Sequence, residues 1–218
     1  MAAKAAIFDL DGTLLDSLHD LRDALEMALM ENGIERHYDD GAFKLMVGNG
    51  LAKLIERALP PGSPLAPKLR ADYKAIYSKN LSRKTKPFPG VPGLVSRLKA
   101  EGFGLGVWTN KDDDLAKSLV GSFFPGAFSV VMGSAPDRPN KPDPHTGLAL
   151  AGALGASPAE LYYLGDGDAD MIAANNCGFI PVGVLWGYRS REVLLSAGAR
   201  YLLSEPADFH AILGAAHG

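Results

Sequence analysis

The sequence predicts an α/β fold, a Rossmann-like parallel sheet core with an inserted all-helical cap domain, and three observations carry that expectation. The chain opens on a short apolar run, Ala5-Ala6-Ile7-Phe8, that leads into Asp9-Leu10-Asp11-Gly12, as a buried strand running into a turn does. Residues 16–83 show helical periodicity and no convincing strand. From Val91 onward helix-like and strand-like segments alternate, the pattern of βαβ units and of a parallel sheet covered on both faces. The expected division is therefore a core of 1–15 and 84–218 and a cap of 16–83.

Each element has its own signal. After the first strand, Asp16-Ser17 offers an N-cap, and Leu18, Leu21, Leu25, Ala28 and Leu29 recur at three- and four-residue steps until Gly33, which predicts an amphipathic helix. A second helical stretch starts near Asp40, breaks at Gly48-Asn49-Gly50, resumes at Leu51 and stops at Pro60-Pro61-Gly62. A third runs from about Pro67 to Leu81. Residues 84–92 hold Pro87, Pro89, Gly90 and Pro92, too many breakers for a regular element, so they read as a linker. The alternating part then predicts helices over 92–101, 113–121, 144–155 and 169–177, and strands over 104–108, 128–132, 161–164 and 180–185. A further helix, a short strand at Tyr201-Leu202-Leu203 and a last helix complete the chain.

Composition narrows the function. With 218 residues, 47% of them hydrophobic and 22% charged, the chain has ample material for a core. A net charge of -3 leaves no basic face for nucleic acid, so an anionic ligand must be drawn by local charge or a bound cation. Cys177 is the single cysteine, which excludes an intramolecular disulfide and fits a reducing compartment. Neither signal-peptide regions nor a bilayer-length apolar run stands in the sequence. The expected location is the cytoplasm.

A parallel α/β sheet binds ligands at the carboxyl ends of its strands, and the chemistry-bearing residues fall there: Asp9, Thr109, Lys141 and Asp166 each follow a different predicted strand. Side chains alternate along a strand, so Asp9 and Asp11 are expected to emerge on one side. Such crowding of carboxylates demands a cation or a shared proton. For a phosphate monoester among these groups, Asp9 is the candidate nucleophile and Asp11 the group that protonates the leaving oxygen and then activates water. Magnesium is the expected cofactor, with Asp9 and Asp166 as side-chain ligands and Asp170 orienting a metal-bound water or Lys141. Lys141, Thr109 and the backbone N–H of Asn110 would hold phosphate. Gly12 and Gly165 allow close backbone approach.

These four stretches, Asp9-Leu10-Asp11-Gly12-Thr13, Thr109-Asn110-Lys111, Lys141-Pro142-Asp143-Pro144 and Gly165-Asp166-Gly167-Asp168-Ala169-Asp170, resemble in order the four signatures of the haloacid dehalogenase-like phosphohydrolases. The resemblance covers the whole chain and implies a helical cap inserted after the first signature. It also implies an aspartyl phosphate on Asp9 and a magnesium site that includes the backbone carbonyl of Asp11. Val47-Gly48-Asn49-Gly50-Leu51, Thr109-Asn110-Lys111 and Gly187-Tyr188-Arg189 resemble the phosphoglycolate phosphatases of that family. Thr13 stands where related sugar-phosphate mutases often carry valine, which favours hydrolysis. Gly167 departs from the family's usual Ser or Thr.

Simpler explanations exist for individual residues. Lys141 alone would read as a surface lysine, Thr109 as a packing residue at a strand end, and Asp170 as a first-turn helix acid. Cys177 reads as a small buried hydrophobe, and His19, His37, His145, His210 and His217 show no metal-ligand spacing. Gly48-Asn49-Gly50 is either a helix break or a turn that offers N–H groups to a substrate carboxylate. The expected partner is a small phosphorylated metabolite, not nucleic acid or membrane. Two rival functions remain at this point: a sugar-phosphate mutase of the same superfamily, and a catalytically silent binding protein on the same fold.

Overall fold

A computed structural model describes residues 4–215. Its centre is a six-stranded sheet in the order β5-β4-β1-β6-β7-β8, formed by β1 (Ala5–Phe8), β4 (Gly104–Asp112), β5 (Val130–Ser134), β6 (Leu161–Gly165), β7 (Ile180–Val184) and β8 (Tyr201–Leu203). All neighbouring strands are parallel. Alternation of side chains is visible in the packing. Ala6, Phe8, Leu105, Val107, Tyr162 and Leu164 enter one hydrophobic cluster, while Ala5, Ile7, Trp108, Leu161 and Tyr163 enter another. The helices α5 (Val91–Ala100) and α6 (Asp113–Phe123) supply the first cluster, and α7 (His145–Leu154) and α8 (Asp168–Cys177) the second. Burial on both faces is what makes these strands near-continuous apolar runs.

The order of the strands determines where a ligand can bind. From β1 the chain moves outward through β4 and β5, then returns to place β6 against the other side of β1. The crevice at the carboxyl end of β1 is thus a topological switch point, flanked by the ends of β4 and β6.

Between β1 and α5 lie four helices, α1 (Leu18–Glu31), α2 (Asp40–Lys44), α3 (Leu51–Ala58) and α4 (Ala66–Lys79). Their apolar faces form a cluster of their own, from Leu18 and Leu25 to Tyr73 and Tyr77, against which Leu115 and Tyr188 also pack. Two antiparallel two-residue strands, β2 (Leu15–Asp16) and β3 (Lys86–Pro87), tie the two crossing points of the chain together. The buried carboxylate of Asp20 reinforces them by accepting from the backbone N–H groups of Lys84 and Thr85 and from the Thr85 hydroxyl. After β7 come α9 (Arg191–Ser196) and, beyond β8, α10 (Phe209–Ala215).

Three expectations need correction. The stretch 84–92 is not wholly irregular, since β3 needs just one pairing partner and Pro87 sits opposite Leu15. The strand expected over 104–108 continues to Asp112 through a register irregularity, because tertiary pairing with β5 holds polar residues that hydropathy alone assigns to a loop. Ser17 occupies the N-cap position of α1, but its side chain makes no capping bond and donates instead to Asp11. Among the described residues no helix is long and apolar enough to cross a membrane.

Candidate active site

The crevice is built from strand ends. Asp9 follows β1, and its backbone N–H extends the β1–β6 ladder by donating to the Leu164 carbonyl at 2.8 Å. Its carboxylate meets the Lys141 ammonium at 2.8 Å. Lys141, whose side chain is 1% exposed, reaches in from the loop after β5 and also donates to Asp170 at 2.6 Å, the Tyr163 hydroxyl at 2.8 Å and the Trp108 carbonyl at 3.1 Å. The Asn110 side chain fixes the base of that lysine: its Oδ1 accepts from the Lys141 N–H at 2.8 Å. Asn110 Nδ2 reaches across to the Gly48 carbonyl at 3.1 Å. Thr109 is buried one residue earlier.

Asp166, at the end of β6, is held differently. It accepts from the Thr13 hydroxyl at 3.0 Å and from the Tyr188 N–H at 2.8 Å, both neutral donors. Backbone crowds it on two sides. A Cβ at Gly12 (φ +89°) would lie 2.3 Å from Asp166 Oδ2, and one at Gly187 would lie 2.2 Å from Asp166 Cβ and 2.5 Å from the Gly12 carbonyl. Only glycines let these segments close around the carboxylate. Asp170, in the first turn of α8, completes the group by accepting from the Gly167 N–H at 2.8 Å. The Gly167 departure thus leaves a backbone donor in place.

Asp9, Asp166 and Asp170 each offer an oxygen within 4.8 Å of the others, and among the described residues Lys141 is the single ammonium bonded to members of this group. Burial raises Asp9 from its ordinary value to about 7, with Lys141 opposing and Asp170 adding to the rise. Burial likewise pushes Asp166 up to about 8, helped by Asp170 and Asp9. Burial opposes the charge on Lys141, yet Asp170 and Asp9 outweigh it and leave its pKa raised. A buried all-oxygen cluster with excess negative charge fits a hard divalent cation.

Asp11 lies beside that cluster rather than in it. The turn after β1, which ends at Phe8, gives the two carboxylates different hydrogen-bond partners, yet Asp11 is close enough to Asp9 to add to the rise in its pKa and lines a second small cavity together with Asp166 and Asp170. Asp11 is held by the Lys111 ammonium, 2.9 Å from each of its oxygens, and by the Ser17 hydroxyl at 2.5 Å. It lines a cavity of about 70 Å³ bounded by α1, α3 and α4 on one side and by Thr109, Asn110 and Lys111 on the other.

Sequence reasoning missed Tyr163, Gly187 and the backbone N–H of Tyr188 as parts of the site, and gave Lys111 no role. Tyr163 resembled any apolar strand residue, and only its hydroxyl near a strand end hinted at more. Tyr188 acts through its backbone, which leaves no mark on residue type. The cysteine and histidine readings concern other places: Cys177 is buried, His19 and His37 approach surface acids, His210 approaches Glu101, His145 opens α7, and His217 lies outside the described residues.

The family model described as haloacid dehalogenase-like hydrolase matches residues 6–184. The chain belongs to the haloacid dehalogenase-like hydrolases. Among its relatives, a phosphoglycolate phosphatase of Aquifex aeolicus (strain VF5) is 34% identical over 210 residues, spanning 94% of each chain. Another, from Rhodospirillum rubrum, is 34% identical over 221 residues, spanning 97% of this chain and 91% of its own. In three dimensions the crystal structure of a predicted phosphoglycolate phosphatase from Haemophilus somnus 129PT matches with a TM-score of 0.88 at 26% identity, covering 97% of this chain and 98% of that one. This hydrolase therefore shares its whole architecture, helical insertion included, with such proteins.

Proposed function

We propose that this hydrolase is a magnesium-dependent phosphatase that cleaves a small phosphorylated metabolite, phosphoglycolate foremost, through an aspartyl phosphate on Asp9. The observation that carries the reading is the buried junction of Asp9, Lys141, Asp166 and Asp170 at the switch point of the sheet. Asp9 attacks phosphorus while Lys141 holds its carboxylate in place. Thr109 and the Asn110 N–H bind phosphoryl oxygens, and the Asn110 side chain, already engaged, fixes the Lys141 loop. Asp11 hands a proton to the departing oxygen, then accepts one from the water that attacks phosphorus in the acyl phosphate on Asp9, breaking the Asp9 O–P bond and releasing inorganic phosphate and the free carboxylate. The side chains of Asp9 and Asp166 with the Asp11 carbonyl would hold magnesium, which supplies positive charge for the phosphoryl oxygens when bound. Thr13 and Tyr188 orient Asp166, and Asp170 orients Lys141.

In the same reading, residues 16–83 act as a cap on a core of 1–15 and 84–218. Support comes from the separate hydrophobic cluster of α1 to α4 and from the 45–50 segment, whose Val47 carbonyl accepts from Arg189 and whose Gly48 carbonyl accepts from Asn110. A cap in this position excludes water during phosphoryl transfer and admits only small leaving groups. A cytoplasmic setting suits the free, buried Cys177.

A screen of small phosphate esters with and without magnesium tests the proposal. Phosphate release should depend on the metal, and Asp9→Asn should lower kcat on the order of 10⁴-fold or more while the thermal transition stays cooperative. Turnover retained in Asp9→Asn would refute the nucleophile assignment.

A further inference from the structure

The ion pair between Asp11 and Lys111 leaves something over. Lys111 is almost wholly buried, its side chain 5% exposed, and its ammonium has three donors. The two Asp11 oxygens engage two of them at 2.9 Å. The remaining direction has no oxygen acceptor among the described residues, and the ammonium lies over the face of Tyr77, 4.6 Å from the ring centroid. Tyr77 itself is 1% exposed, yet its hydroxyl has no hydrogen-bond partner. Burial keeps that hydroxyl protonated by pushing its pKa well above the ordinary tyrosine value, so it is a donor without an acceptor, a costly state for a buried polar group.

Both residues line the cavity of about 70 Å³ that begins at Asp11. Its other cation, Lys74, is already 2.6 Å from Asp112. One wall is apolar, formed by Leu21, Leu51, Leu54 and Leu115 with Tyr73, and Thr109, Asn110 and Asp112 add polar groups to the lining, the Asp112 carboxylate being the one that pairs with Lys74. A cavity of this size takes a group of a few heavy atoms. Two unspent donors beside an apolar wall fit a small planar anion.

We propose that Lys111 and the Tyr77 hydroxyl form the seat for the leaving group's carboxylate and are the residues by which this chain selects a phosphate monoester with a short carboxylate tail over one with an uncharged tail. This inference rests on the phosphatase reading above and adds to it the residues that choose the substrate. It places the reacting phosphorus on the Asp9 side of Asp11 and the tail on the Lys111 side, with Asp11 between them at the bridging oxygen. Lys111 then serves two carboxylates, one from the protein and one from the substrate, and an ester with an uncharged tail leaves the second set of donors unspent.

The test compares 2-phosphoglycolate with 2-hydroxyethyl phosphate, which has a hydroxymethyl group in place of the carboxylate, on the full-length magnesium-loaded enzyme. The readout is the ratio of kcat/KM between the two esters, which discounts general damage to the site. Wild type should favour the carboxylate ester by about 100-fold or more. Lys111→Met should collapse that ratio by at least tenfold, Lys111→Arg should restore part of it, and Tyr77→Phe, which keeps the ring and the packing, should lower it severalfold through KM. A wild-type ratio near one, or equal losses on both esters in Lys111→Met and Tyr77→Phe, overturns the carboxylate seat and leaves the phosphatase reading standing. If wild type releases phosphate from neither ester nor from any other monoester, the phosphatase reading fails first and the seat falls with it.

Discussion

Two buried lysines face the same crevice, and the protein holds them in different ways. Lys141 is enclosed by Asp9, Asp170, Tyr163 and the Trp108 carbonyl, groups that arrive from the residue after β1, from within β4 and β6 and from α8. Every direction around its ammonium is taken by the core. Lys111 has Asp11 on one side and a ring from α4 on the other, so half of its surroundings belong to the helical insertion and to a cavity. A lysine coordinated on all sides is a fixed charge that organises the attacking carboxylate. One with a spare donor beside a chamber is able to meet something that comes and goes. Position in the fold, rather than residue type, separates the two roles.

The largest expected effect comes from removing the enclosed charge. Lys141→Met leaves Asp9 and Asp170 buried without their ammonium, and breaking a buried pair from one side costs about 3–5 kcal/mol; urea denaturation should register that loss together with the disappearance of activity. Should Lys141→Met unfold at the wild-type midpoint, the picture of a fully committed lysine is broken. Next in size is Gly187→Ala. Its Cβ must displace Asp166 or the Gly12 backbone, so magnesium affinity by calorimetry should fall about 10–100-fold, with the tail preference unchanged because Asp11 and Lys111 are untouched.

The metal-free protein offers a smaller but graded effect. Asp9 and Asp166 sit at about 7 and about 8 in the fold, well above the unfolded carboxylate value of about 3.9. Between these limits the folded state binds more protons than the unfolded one, so stability declines as pH rises through 7 to 8. Thermal melts in chelator should therefore show a falling transition temperature from pH 5 to 9, and magnesium should reverse the fall increasingly toward high pH because its binding displaces those protons. A flat profile in chelator would show that Lys141 balances the cluster unaided. The mildest change is Ser17→Ala, which deprives Asp11 of its hydroxyl donor. A drop of about tenfold in kcat, with unfolding almost unmoved, would sharpen the view that the Asp11 side of the crevice works by orientation rather than by supporting the fold.

Much of this was legible from the chain alone, because it depends on local pattern. The continuous apolar run Ala5-Ala6-Ile7-Phe8, the helical spacing of Leu18, Leu21 and Leu25, and the breakers at Pro60-Pro61-Gly62 act over a few residues, and they separate a parallel sheet from an all-helical insertion. Placement of Asp9 and Asp166 just after separate strands and of Lys141 in the loop after another follows from the same pattern plus the general rule for α/β sheets, whereas Thr109, expected after a strand, lies within β4. What the chain could not disclose is which of these groups touch. Thr13 meets Asp166 across 153 positions, Lys141 meets Asp9 across 132 and Lys111 meets Asp11 across 100. Such pairs are decided by strand order and register, which also brought Tyr163, Gly187 and the Tyr188 backbone to the site, put Asp170 rather than the Asp11 side chain in the cluster with Asp9 and Asp166, and carried β4 on to Asp112. Local propensity settles what each segment becomes, but a shared cavity exists only once distant segments have closed around it.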